Sequence, residues 1–435
     1  MPTSSPDDLP GFRWAPWFVI AFVALLPTVG PAELVLSVGA LAAMGLLLVQ
    51  RFRGGTELLS REAWALSTAL FFCYWLPQLF SAFDALDSAR TWKGVATDLR
   101  YLPFLWLVAM AMAHPRGRRI VGIGLGAIVL AWCLDALIEG ATGLGLSHTL
   151  ERIKIALAQL QGRPPPLIAP PADRLTGIFG ADNLKLGLIV CSLSPFALEW
   201  LRARAGALGW LAGAVLVGCV VLLAGARAAW LGFALVLLVS GWRALRSKAQ
   251  LAAVLGIGVA VAVAGFAWSP QFRARIERSV AVAQGDADTA SSGRMSLWRT
   301  AGAMALSHPV NGVGVRSFRN AYHSYAAPGD FFVSKGETAL HAHQIVLEVL
   351  TETGAIGVLL WLMGAVLAWR AWRWATPAAR ERARVPALAL GVTVFPFNTH
   401  LAFYSNFWGG VFLLLLALFA GALLAGDEDG RAPAG

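Results

Sequence analysis

The chain has 435 residues, of which 57% are hydrophobic and 14% charged, and its formal net charge is +10. This apolar composition excludes an ordinary soluble globular protein. We find no nucleic-acid-binding module, and much of the basic excess lies in short loops between apolar segments, where it indicates membrane orientation.

Apolar runs long enough to cross a ~30 Å hydrocarbon core as helices recur along the chain. They lie near residues 15–29, 32–50, 63–82, 99–113, 120–140, 184–201, 207–224, 227–242, 250–268, 345–369, 385–402 and 406–425. The sequence therefore predicts an all-α polytopic membrane protein with about twelve transmembrane helices, organised as a single integral membrane domain over residues 1–435.

The basic residues predict the orientation of these spans. With a cytoplasmic N-terminus, every short inside loop carries arginine or lysine, in agreement with the positive-inside rule. Two longer segments then lie on the outer side, a smaller one over residues 141–183 and a large one over residues 269–344. A further outer segment, residues 83–98, has the pattern of an amphipathic helix at the membrane interface.

The large outer segment is predicted to be a helical loop. Apolar spacing indicates one helix over residues 270–284 and a second that starts after Gly293 and stops before His308-Pro309. Between them, Asp286-Ala287-Asp288 lacks a neighbouring third ligand. We therefore predict no metal site and no cofactor.

Two arginines are candidate phosphate ligands. Arg227 follows a very short turn between two spans, so it lies at the outer membrane boundary and at a helix start, where free N–H groups add positive potential. Arg294 opens the second helix of the large segment. Two guanidinium groups together suit a diphosphate. The alternatives are a snorkelling side chain for Arg227, and a solvated face or a salt bridge to Asp286 or Asp288 for Arg294.

The large segment ends in two histidines, His341 and His343, directly before the next span. A neutral imidazole there could take a proton from a sugar hydroxyl near neutral pH. Glu348 and Glu352, on the helix that follows, could orient or pair with nearby cationic groups. The alternative for each histidine is a capping or packing role. The remaining arginines towards the end of the segment are predicted to be structural: Arg299, Arg316 and Arg319.

A series of short motifs runs through residues 170–410. It consists of Arg174-Leu175-Thr176-Gly177-Ile178-Phe179 with Asp182-Asn183, Gly225-Ala226-Arg227, Gly293-Arg294 with Trp298, Pro309-Val310-Asn311-Gly312-Val313-Gly314, His341-Ala342-His343-Gln344, Leu347-Glu348 and Glu352-Thr353-Gly354. In this order the motifs resemble the O-antigen ligase family of bacterial inner-membrane glycosyltransferases and its wider ligase/polymerase superfamily. Gln344 stands where asparagine often follows the histidine in that superfamily.

The resemblance implies a GT-C-like glycosyltransferase in the bacterial inner (cytoplasmic) membrane, with its active site facing the periplasm. It implies metal-independent, inverting transfer of O-antigen polysaccharide from undecaprenyl diphosphate to lipid A–core. Arg227 and Arg294 would hold the donor diphosphate, and His343 would activate the acceptor hydroxyl. The supporting residues would be His341, Glu348 and Arg174.

Three other functions stay open. An O-antigen polymerase would use the same donor but join two lipid-linked chains; such polymerases often carry an arginine with glycine eleven positions later in two outer loops, and no outer-loop arginine here has that partner. A protein O-oligosaccharyltransferase would differ only in its acceptor. A non-catalytic lipid-glycan transporter would place ionisable residues along a path at the membrane midplane, whereas these candidates gather at the outer boundary.

Overall fold

The computed structural model describes residues 10–53, 58–160, 174–181, 183–245, 293–396 and 402–425, together with scattered positions between 247 and 291. Within these residues all regular structure is helical, which confirms the predicted all-α class. The helices are α1 (Pro10–Ala24), α2 (Val29–Arg53), α3 (Arg61–Ala82), α4 (Ser88–Asp98), α5 (Tyr101–Ala113), α6 (Pro115–Thr142), α7 (Leu146–Leu160), α8 (Leu186–Leu223), α9 (Arg227–Ala244), α10 (Arg294–Ser307), α11 (Phe318–Tyr325), α12 (Ile345–Trp374), α13 (Pro377–Thr393) and α14 (Asn406–Leu423).

The predicted count of twelve spans is not confirmed. Among the described residues, seven helices are long and apolar enough to cross a membrane. They are Val29–Phe52, Arg61–Ala82, Ser88–Ala113 (α4 and α5 taken together), Pro115–Thr142, Leu186–Leu223, Ile345–Trp374 and Asn406–Leu423. Two helices in predicted spans, α1 with 15 residues and α13 with 17, are short for a ~30 Å crossing. The span predicted at 250–268 lies largely outside the described residues.

The helices predicted outside the spans are present where the structure describes them. The amphipathic helix expected within residues 83–98 is α4, and Asp87 caps it by accepting the N–H of Arg90 at 3.1 Å. The second helix of the large segment is α10, which ends before His308 as expected. The helix predicted over 270–284 falls largely on residues that the structure does not describe. The membrane side on which residues 269–344 lie stays a prediction.

The chain divides into two compact units. The first comprises residues 1–121, 287–390 and 398–435, and the second comprises residues 122–286 and 391–397. The histidines and α10 belong to the first unit, and α7, α8 and α9 belong to the second.

The first unit is built around α14. This helix packs against α5, α3 and α12, and all of its residues from Phe407 to Leu423 are buried. It starts at a serine cap, in which Ser405 Oγ accepts the N–H of Trp408 at 3.1 Å. A helix that is apolar on every side belongs in the interior of a bundle, and α14 has that position.

The second unit contains a broken helix, α8, which packs against α9. Ala205 and Gly206 leave the helical conformation, and Gly206 has a φ of 60°, which glycine adopts without steric penalty. The two predicted spans at 184–201 and 207–224 correspond to the two halves of α8. The short turn after α8 leads directly into α9, whose first residue is Arg227, so the predicted helix start is confirmed.

Candidate functional site

The two predicted histidines lie in a turn at the start of α12, termed here the histidine turn (residues 341–344). Ala342 is fully buried in an apolar cluster that also contains side chains of α10 and α11, so it anchors the turn. Gln344 ends the turn, because its Oε1 accepts the N–H of Leu347 at 2.6 Å and caps α12. The glutamine that departs from the family pattern therefore has a clear local function.

The imidazole rings of His341 and His343 are adjacent, with their centroids 3.9 Å apart. His343 has a φ of 52°, in the left-handed region that only a few per cent of non-glycine residues adopt. Its backbone N–H donates to His341 Nδ1 at 3.3 Å, and the same nitrogen lies 3.7 Å from Glu348 Oε2. Unusual backbone conformations of this kind cluster at functional sites. The structure thus brings together the predicted base and two of its predicted supporting residues.

The helix that carries this turn, α12, is broken at Gly354, where φ is 61° and ψ is −159°. A strip of chain, termed here the inserted segment (residues 309–316), fills the break. Four backbone hydrogen bonds join them: Val313 N–H to Thr351 O (2.8 Å), Gly314 N–H to Glu352 O (3.2 Å), Ala355 N–H to Pro309 O (2.9 Å) and Ile356 N–H to Val310 O (3.1 Å). Two motifs that are far apart in the sequence therefore form one structural element.

Glycine is required on both sides of this junction. A Cβ on Gly354 would lie 2.3 Å from the Val310 carbonyl oxygen, and a Cβ on Gly312 would lie 2.4 Å from the Glu352 carbonyl carbon. Both glycines also have positive φ. The two backbones can approach closely enough to hydrogen-bond only because neither position carries a side chain.

Arg316 closes the inserted segment with a largely buried guanidinium group. Its Nη2 lies 3.2 Å from Asp98 Oδ1, and its Nε donates to the carbonyl of Tyr404 at 2.9 Å. Its backbone N–H donates to Glu352 Oε2 at 3.0 Å. Burial lowers the pKa of Arg316, but Asp98 acting together with Tyr74, Tyr101 and Glu352 outweighs burial, so the pKa is raised. These contacts give Arg316 the structural role predicted for it.

Arg294 is the first residue of α10, which packs against α12. The start of α10 is fixed by Asp288, whose carboxylate accepts the N–H of Ser296 at 2.7 Å and its hydroxyl at 2.6 Å. Asp286 lies outside the described residues. Arg294 is half-buried, and it occupies a helix N-terminus in the same unit as the histidine turn. That position favours an anion.

Arg227 and Arg174 lie in the second unit. Arg227 opens α9, and Arg174 precedes a short 3-10 turn over Gly177–Phe179. The N–H of Leu175 donates to the carbonyl of Leu223 at 3.3 Å, at the end of α8. The segment that carries Arg174 is therefore tied to the helix whose end leads into Arg227.

Glu139, near the end of α6, holds the Arg174 segment in place. Its carboxylate accepts the N–H of Thr176 at 3.1 Å, the hydroxyl of Thr176 at 2.8 Å and the N–H of Gly177 at 2.5 Å.

We expect Glu139→Ala to loosen residues 174–181, because each buried donor that loses its acceptor costs about 1–3 kcal/mol. Faster amide hydrogen exchange in that stretch checks this. Glu151→Ala on α7 is the control, and equal exchange in the two variants would contradict the role.

Several residues that shape the candidate site escaped sequence reasoning. Tyr404 donates its backbone N–H to Glu348 Oε1 at 3.3 Å, and its hydroxyl lies 3.2 Å from Thr353 Oγ1. Asp98, the partner of Arg316, could have been found from the sequence, because an acidic residue on the buried face of an amphipathic helix indicates a buried cationic partner. Within the described part of the chain, no group of three or more His, Cys, Asp or Glu side chains is arranged to hold a metal ion.

Comparison with known proteins agrees with the motifs. A family model described as O-antigen ligase matches residues 212–362. This stretch contains five of the six candidate residues, namely Arg227, Arg294, His341, His343 and Glu348, whereas Arg174 precedes it. No curated protein matches the chain. The match confirms the resemblance seen in the motifs: residues 212–362 of this chain are similar to the O-antigen ligase family.

Proposed function

We propose that this protein transfers O-antigen polysaccharide from undecaprenyl diphosphate to lipid A–core at the periplasmic face of the bacterial inner membrane. The family match and the seven membrane-length helices support a lipid-linked glycan transferase in a multi-pass membrane protein. The observation that carries the proposal is the histidine turn, where His343 is held in a left-handed conformation beside His341 and the buried Glu348.

In the proposed reaction, His343 acts as a general base. Its imidazole takes the proton from the acceptor hydroxyl while the hydroxyl oxygen attacks the anomeric carbon of the donor sugar. The bond from that carbon to the diphosphate oxygen breaks, and undecaprenyl diphosphate leaves. Attack from the opposite face inverts the anomeric centre. His341 and Glu348 support the imidazole from the same turn and helix.

Arg227 and Arg294 bind the diphosphate in this mechanism. Each is the first residue of a helix, where free N–H groups reinforce the positive charge of the side chain. Fixed cations at the leaving group stabilise the charge that develops as the bond breaks, by roughly 3–5 kcal/mol for such a pair. Arg174 is proposed to support this donor site.

An apolar cavity in the second unit supports a lipid donor. Its volume is about 320 Å³, and side chains of α8 and α9 line it, among them Trp230 and Phe233. These two residues follow Arg227 by one and two turns of α9. A polyprenyl chain in this cavity would carry its head group to the start of that helix.

The acceptor is tested by supplying purified protein with lipid-linked glycan and one acceptor at a time, in the presence of a chelator. We expect conjugate with lipid A–core. Product only from a second lipid-linked glycan would instead identify a polymerase, and product only from a protein acceptor would identify a protein glycosyltransferase. No product with any acceptor would contradict catalysis and favour a transporter.

Arg294→Ala is expected to lower the transfer rate by roughly a hundred- to a thousandfold, as does removal of one preorganised charge-stabilising group in other enzymes. Initial rates with saturating lipid A–core measure the loss. The matched control is Arg299→Ala, which removes an exposed arginine from the same helix. If both variants transfer glycan at the same rate, Arg294 has no special role.

A further inference from the structure

Arg319, at the start of α11, has one donor atom that no described residue satisfies. Arg319 is the second residue of α11 and is half-buried. Its Nε is buried and finds no hydrogen-bond acceptor among the residues that the structure describes. A buried donor without a partner is costly, and proteins retain few of them.

The carboxylates beside Arg319 and beside its neighbours Arg316 and Arg90 are engaged by other groups. Glu352 accepts the backbone N–H of Arg316, and Asp98 pairs with the Arg316 guanidinium. Asp87 accepts a backbone N–H at the start of α4. None of these acids accepts a hydrogen bond from Arg319 Nε.

The charges nearest to Arg319 also disfavour its own charge. Burial lowers the pKa of Arg319, and the neighbouring Arg90 and Arg316 lower it further, with only partial relief from Glu352. Arg90 is held close because Asp87, three residues earlier, donates its N–H to Ser317 Oγ at 3.2 Å. Arg90 and Arg316 each have a carboxylate of their own, Asp87 at 3.7 Å and Asp98 at 3.2 Å, so an anion from outside the protein would serve Arg319 itself.

The same part of α12 holds both the chain next to Arg319 and the histidine turn. Glu352, which holds the chain directly before α11, lies one helical turn after Glu348, which contacts His341. The carbonyl of Arg319 accepts the hydroxyl of Thr338 at 3.2 Å, three residues before the histidine turn begins. A ligand bound by Arg319 is therefore held on the same framework as the proposed base.

We propose that Arg319 binds a phosphate group of a substrate, in addition to the two arginines already proposed. The planar guanidinium fork suits phosphate oxygens. Two sources supply this chemistry: the diphosphate of a polyprenyl-linked donor and a phosphate on a lipid A acceptor. The choice between these sources rests on the proposed function, whereas the anion site itself does not.

The test compares wild type with Arg319→Gln in lipid nanodiscs by calorimetric titration. The ligands are farnesyl diphosphate, as a short polyprenyl diphosphate, and lipid A with and without its phosphates. We expect Arg319→Gln to lower the affinity for one phosphorylated ligand by roughly ten- to a hundredfold, the effect of losing one hydrogen bond to a charged group. A loss confined to farnesyl diphosphate assigns the donor, and a loss confined to phosphorylated lipid A assigns the acceptor.

Two further variants make the result specific. Arg299→Gln removes an exposed arginine from the same unit and should leave both affinities unchanged. Arg319→Lys keeps the charge but loses the fork, so it should bind with intermediate affinity. Wild-type affinity of Arg319→Gln for every ligand would overturn the proposal.

Thermal stability separates this role from a structural one. Arg319→Gln should keep or raise the thermal midpoint, because it removes a repelled guanidinium and an unsatisfied donor. A lowered midpoint together with unchanged affinities would show a structural arginine. Because binding is measured without turnover, a failure of glycan transfer would overturn the proposed function while leaving this binding result intact.

Discussion

His343→Ala should reduce glycan transfer by about a hundred- to ten-thousandfold, the range that a positioned general base contributes. The protein should still fold, because the buried anchor of the histidine turn is Ala342, whereas His343 itself is half-buried. Initial rates of conjugate formation measure the first effect. Size-exclusion profiles and thermal midpoints in detergent measure the second.

Two other variants separate the chemistry from the backbone. His343→Asn keeps a residue type that tolerates positive φ but removes the base, so it should be as inactive as the alanine variant. His323→Ala removes an exposed histidine from α11 and should transfer glycan as wild type does. Wild-type rates in both His343 variants would exclude His343 as the base.

Gly354→Ala should destabilise the first unit strongly. The added Cβ would meet the Val310 carbonyl oxygen at 2.3 Å, so the inserted segment has to move and its hydrogen bonds to α12 are lost. The positive φ alone costs an alanine about 1–2 kcal/mol, and the lost backbone bonds add to that. A markedly lower thermal midpoint and a low yield of folded protein are the expected results.

Gly329→Ala is the matched control for this effect. Gly329 has a φ of 79°, but a Cβ there would meet nothing within 4 Å. Gly329→Ala therefore has the conformational cost of a positive φ without a steric clash. Its thermal midpoint should fall much less than that of Gly354→Ala. Similar losses in the two variants would show that the junction between α12 and the inserted segment does not limit stability.

Local features of the sequence were sufficient to predict many of the helices. The boundaries of α10 follow from Gly293 before it and His308-Pro309 after it, and the start of α9 follows from the short turn before Arg227. The number of transmembrane spans was harder to predict from the sequence, because it depends on where the helices begin, end and break. Residues 186–223 consist of two helical halves separated at Ala205 and Gly206, in line with the predicted spans at 184–201 and 207–224, whereas α1 and α13 are short for a crossing.

The candidate site was predictable only in part, for a similar reason. His341, His343 and Glu348 lie within one stretch of sequence, so their contacts follow from local geometry. The pairing of Arg316 with Asp98 joins residues 218 positions apart, and no periodicity reveals it. Arg319, like Arg299 and Arg316, is predicted from the sequence to be structural; its buried Nε, which has no acceptor among the described residues, is visible only in the structure.

The enclosure of α14 has a consequence for biosynthesis. The helices that surround it include α3 and α5, which the ribosome makes long before α14. While synthesis continues, those earlier helices must therefore present to lipid, or to an insertion chaperone, the surfaces that α14 later covers. Assembly of the first unit is consequently a late event, and it depends on contacts between distant parts of the nascent chain.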